Sequence, residues 1–115
     1  MIETSSKAVH QLAAGLWRSA REQGWTRSAR LSLRWRAPSG ELADRLGRHL
    51  GSRLDRLPVL DAGADAGTHD VGAGIALTAP SLTDIEAQIR WALEAGREFQ
   101  AALLDVGIGA PRDAQ

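Results

Sequence analysis

The chain has no cysteine, which excludes disulfides, thiolate metal sites and cysteine nucleophiles. Its only lysine is Lys7, so no glycine-rich loop ends in the lysine that a phosphate loop requires. No apolar run approaches the roughly 20 residues of a membrane span. Met1 to Ser6 lacks a basic region followed by an apolar one, so no secretory signal is expected and the expected location is cytoplasmic. Formal net charge is zero. Aromatics are few and oddly chosen: four tryptophans, one phenylalanine and no tyrosine.

What is present is ordinary for one globular domain. The 115 residues are 43% hydrophobic, enough for a sizeable core. The zero net charge hides an asymmetry. Residues 1–56 hold eleven basic side chains against five acidic ones, a balance of +6, and residues 57–115 hold three against nine, a balance of −6. Such a split points to a charged partner, to self-association, or to halves that neutralise each other across the fold.

Residues 30–36 organise the rest. Leu31, Leu33 and Trp35 alternate with Arg30, Ser32, Arg34 and Arg36. A period of two marks a half-buried strand, with one face on a core and three guanidinium groups on the other. Before it, Val9, Leu12, Ala13, Leu16, Trp17 and Ala20 follow helical spacing, with Ser5 or Ser6 as cap and Gly24 at the end, which predicts a helix over about 6–22. Trp17 and Trp35 fit a core; Trp25 and Trp91 fall at edges. After the strand, Ser39 caps a second helix striped by Leu42, Ala43, Leu46, Leu50 and Leu54. Val59 and Leu60 form a short apolar run, and the glycine- and aspartate-rich stretch 61–70 reads as a hairpin loop. Val71, Ala73, Ile75 and Leu77 alternate with Gly72, Gly74, Ala76 and Thr78, a strand with one smooth face. Thr83 with Glu86 fits a capping box for the third helix, and Ser81 with Asp84 is a second fit. A last strand is expected from Phe99 to Leu104 and Val106, closed by Gly107, Gly109 and Pro111.

This order predicts an α+β, ferredoxin-like βαββαβ sandwich: a four-stranded antiparallel sheet with two helices on one face, preceded by an extra helix. The domain is expected over 1–109, its ferredoxin-like part over about 29–107, with a mobile tail at 110–115.

Catalytic signatures are scarce. His10 and His49 lie beside apolar stripes, with no second ligand at metal-site spacing. His69 precedes Asp70, an arrangement in which a carboxylate can orient a base. Yet adjacent residues entering a strand point to opposite faces. Asp61, Asp65 and Asp70 miss the calcium-loop template. Neither Gly72-Ala73-Gly74 nor Gly107-Ile108-Gly109 matches a dinucleotide fingerprint. No metal or cofactor is expected. RNA-recognition domains of similar strand order stack bases on aromatics of the first and third strands. Here the third strand has none and Trp35 is in phase with the core, so contact with nucleic acid reduces to nonspecific phosphate binding by the arginine row.

The leading expectation is a non-catalytic regulatory or adaptor domain. Arg30, Arg34 and Arg36 would steer the acidic surface of a protein partner, and Trp25 or Trp91 would anchor it. The alternative is a homo- or hetero-dimeric subunit that pairs its open sheet face, with or without a small ligand. A small enzyme using His69 and Asp70 ranks third.

Glu22-Gln23-Gly24 before Arg30–Arg36, and the helix from Ile85-Glu86-Ala87-Gln88-Ile89 to Glu98-Phe99, resemble the ribonuclease E inhibitor B (RraB-type) family. In element order the resemblance spans roughly residues 8–109. Where that family closes on Tyr-Asp-Gly-Trp, this chain reads Leu104-Asp105-Val106-Gly107, so Asp105 alone carries over as a partner-binding position. The resemblance implies a protein partner in RNA metabolism.

Overall fold

The computed structural model describes residues 5–51 and 69–110, together with the backbone of 59–64. It is α+β: three helices and an antiparallel sheet. In chain order the elements are α1 (Ser6–Gln23), β1 (Ser28–Arg36), α2 (Gly40–Gly51), β2 (Val59–Ala64), β3 (Asp70–Thr78), α3 (Leu82–Glu98) and β4 (Ala102–Gly109). Side chains are described in the three adjacent strands β3-β1-β4 of the expected four. β2 joins by backbone pairing along the outer edge of β3, giving the order β2-β3-β1-β4.

Local chemistry accounts for the helix ends. Ser5 caps α1, its Oγ accepting from the Ala8 N–H at 3.2 Å. At the other end Gly24 takes a left-handed φ of 82°, and the Trp25 N–H donates to the Ala20 carbonyl at 2.8 Å. That closing turn favours glycine because a Cβ would crowd the backbone. Ser39 caps α2 through the Leu42 N–H at 3.2 Å. At α3 the capping box is Ser81 with Asp84, not Thr83 with Glu86. The left-handed Ala79 (φ 45°) and Pro80 lead into an extended Ser81, so the helix starts at Leu82 and Thr83 is already inside it.

Two strand boundaries differ from expectation. β2 runs to Ala64, into the segment read as a hairpin loop, because pairing with β3 stabilises an extended backbone there regardless of propensity. β4 begins at Ala102 and includes Gly107 and Gly109. Phe99 to Ala101 instead form a tight return over the end of α3, with Gln100 at φ 57°. Residues 65–68 of the expected loop and 111–115 of the expected tail lie outside the described residues.

The core sits between the sheet and one helical layer. Leu31, Leu33 and Trp35 of β1 bury against Ala43, Leu46 and Leu50 of α2 and Ile85, Ile89 and Ala92 of α3. α2 lies on β2 and β3, α3 lies on β4, and α1 packs on α3 and β4. Trp17, expected in the core, is half-buried at the outside of this layer. No helix among the described residues is long and apolar enough to cross a membrane.

Candidate functional site: the open face of the sheet

The alternation of β1 puts Arg30, Ser32, Arg34 and Arg36 on the side away from the helices. Ser32, Arg34 and Arg36 are exposed and Arg30 is half-buried. α1 lies on α3 and does not cover this side. Pairing then decides what flanks the row. On β3 the partners of Arg30, Ser32, Arg34 and Arg36 are Ala76, Gly74, Gly72 and Asp70. On β4 they are Gly109, Gly107, Asp105 and Ala102, with a register shift between Arg34 and Trp35. A ridge of arginines, broken by Ser32, therefore runs between two rows of small residues that each carry one aspartate, Asp70 or Asp105.

The three arginines have different surroundings. Arg36 forms a fork on Asp70: its Nε donates to Oδ1 at 2.8 Å and its Nη2 to Oδ2 at 3.4 Å. The hydrogen bond from Arg36 holds the Asp70 carboxyl below its ordinary value of 3.8, against the opposing effect of burial; the charge of Arg34 adds to the lowering. Asp70 in turn raises Arg36. Arg30 lies along the sheet, its guanidinium covering Gly74, so closely that a Cβ there would fall 2.6 Å from Cζ. Arg34 makes no hydrogen bond or ion pair among the described residues.

This geometry yields a test of the Asp70 pair. A carboxylate with a lowered folded-state pKa stabilises the fold above its unfolded value and loses that contribution as pH falls through the folded value. Melting temperature is therefore expected to fall as pH drops below about 3.8. Asp70→Asn should lower the melt at neutral pH and flatten this acid limb. Parallel curves for both proteins between pH 2 and 7 would show that Asp70 contributes nothing to it.

Of the residues expected at a partner site, the sheet brings Arg30, Arg34, Arg36 and Asp105 onto one face. Trp25 and Trp91 stand apart from it: both are half-buried against the core, Trp25 behind the end of α1 and Trp91 on α3. Both helices belong to the layer across the sheet, so neither indole anchors a molecule seated on the arginines. The sequence places Asp70 beside His69 and in the aspartate run with Asp61 and Asp65, but not opposite Arg36. Its carboxylate faces Arg36, while His69 is exposed and its carbonyl accepts the Ala37 N–H at 2.9 Å. The sequence signal for the Asp70–Arg36 pair was that one residue opens a strand and the other closes one, as antiparallel partners do. Sequence reading also passed over the His10–Glu86–Arg90 cluster that joins α1 to α3, with His10 Nδ1 2.7 Å from Glu86 Oε1 and Arg90 Nη2 donating to Oε2 at 3.1 Å. These contacts lower the Glu86 pKa, His10 contributing most. Among the described residues no group of three or more histidine, aspartate or glutamate side chains is placed to hold a metal ion. Comparison with protein-family models, with curated proteins and with solved structures finds no match.

Proposed function

We propose that the chain is a ferredoxin-like interaction domain with no reaction of its own, and that it binds a protein partner on the open face of its sheet. The strand order β2-β3-β1-β4, with α2 and α3 on the same side, supports the ferredoxin-like arrangement. The observation that carries the functional reading is that all three helices pack on one side, leaving a strand's worth of long polar side chains exposed on the other. Arg34 is the group this face offers, because Arg36 is already met by Asp70. The partner presents a carboxylate opposite Arg34, and charge complementarity gives orientation and association rate. If the resemblance to the ribonuclease E inhibitor B family extends to activity, that partner is a protein of RNA metabolism and the mechanism is occlusion.

Affinity capture at low and high salt, with Arg34→Glu as control, tests this. The bound protein should be lost both at high salt and in the variant. The melt should move little, since an exposed substitution alters stability by no more than about 0.5 kcal/mol. Undiminished capture by Arg34→Glu would overturn the role of this face.

A further inference from the structure

Among the described residues, the open face sets an exposed knob beside an empty notch. The knob is Arg34, exposed and without a hydrogen bond or ion pair among the described residues. The notch is Gly72, its register partner on β3. A Cβ at Gly72 would reach only the Leu33 carbonyl oxygen, at 3.9 Å, so the space above it is open. The next position along the row differs, because the guanidinium of Arg30 already covers Gly74. Asp70, on the other side of Gly72, supplies a carboxylate whose titration already responds to Arg34.

We propose that the partner on this face is a second copy of the chain, packed sheet to sheet about a two-fold axis that runs along the strands between β1 and β3. The proposal rests on the reading of this face as an interaction surface and names its occupant. A two-fold interface must be self-complementary: each contact occurs twice, with the roles exchanged. An axis parallel to the strands preserves height along them and exchanges β1 for β3. Arg34 of each copy then enters the Gly72 notch of the other, within reach of that copy's Asp70. The Arg36–Asp70 pairs of the two copies come together as an alternating square of charges.

Charge and area both favour this occupant. The described residues of the face carry three arginines and two aspartates, Asp70 and Asp105, so a uniformly acidic partner would meet carboxylates on both flanks of the ridge. A second copy brings the same mixed pattern, in register. The axis lies at the midline of β2-β3-β1-β4, so all four strands overlap. Two strands of about 30 Å, one of about 26 Å and one of about 20 Å, at a spacing of about 4.8 Å, give roughly 510 Å² per copy, or about 1,000 Å² in the pair. That lies at the lower end for specific complexes and points to micromolar, salt-sensitive association.

Sedimentation equilibrium of the full chain from about 5 to about 500 μM, at low and high salt, is the test. The wild type should pass from monomer to dimer across this range, with a higher midpoint in salt. Gly72→Lys fills the notch and should be monomeric throughout while keeping the native circular dichroism, because its Cβ meets nothing closer than 3.9 Å. Arg34→Glu should weaken the dimer at least about tenfold, a free-energy change of about 1.4 kcal/mol. A monomeric wild type, or a dimer unchanged by both substitutions, would overturn the proposal. A monomer whose capture of another protein is lost in Arg34→Glu overturns only the second copy as occupant. Capture and mass that both ignore the two substitutions overturn the interaction face as well.

Discussion

Trp35→Ala should cost about 4 kcal/mol of stability, a large share of the roughly 5–15 kcal/mol expected for a domain of this kind. Trp35 is fully buried between β1 and α3, and its indole Nε1 donates to the Ala92 carbonyl at 2.9 Å. Truncation removes a fully buried indole, leaves a cavity beside Ala92 and Gly96, and takes away the side-chain hydrogen bond from β1 to α3. Trp35→Phe separates the contributions. It restores much of the volume but not the donor, so it should recover part of the loss and remain at least about 1 kcal/mol below wild type. Urea midpoints for the three proteins measure this. A loss under about 1 kcal/mol for the alanine variant would show that the indole does not hold sheet and helix together.

Gly96→Ala should destabilise the protein by about 2 kcal/mol, against the sign that helix propensity assigns. Inside a helix, alanine is favoured over glycine by roughly 1 kcal/mol. Gly96, however, lies where the chain turns back from α3 into β4. An added Cβ would sit 2.6 Å from the Ala101 carbonyl oxygen and 2.8 Å from Trp35 Cδ1. Neither neighbour can give way freely. Ala101 is fixed by its own N–H bond to the Gly96 carbonyl at 2.8 Å, and Trp35 is locked by its bond to Ala92. Overpacking of this kind costs about 1–3 kcal/mol and outweighs the propensity gain. At about 4 °C per kcal/mol the melt should fall by roughly 8 °C. A melt equal to or above wild type would mean that the return from α3 is looser than its hydrogen bonds indicate. Gly72→Lys makes the contrast on the open face, where the same loss of glycine meets open space.

Much of this chain is governed by interactions within a few residues, and those parts were legible in the sequence. The alternation of residues 30–36 determined a strand with leucines and Trp35 inward and arginines outward, because successive strand side chains must point to opposite faces. Ser5, Ser39 and Gly24 determined helix ends, because each meets backbone groups no more than five residues away. The α+β class followed from the order of these elements.

What remained undetermined depends on pairing between distant segments. Thr83 and Ser81 offer the same cap chemistry; Ala79, left-handed and held by its N–H to the Arg27 carbonyl at 2.7 Å, brings the chain in at Ser81. Residues 61–64 carry a loop composition, and only the edge of β3 makes them a strand. The face on which α1 settles is not encoded in its own stripe, which needs only an apolar surface; α3 and β4 supply it, and the arginine face stays open as a result. Register then set Asp70 against Arg36, Asp105 opposite Arg34 and Gly72 beside Arg34, which makes no hydrogen bond or ion pair among the described residues. Composition specified which side chains the face would carry. Tertiary pairing alone decided which of those charges neutralise one another and which makes no ion pair among the described residues.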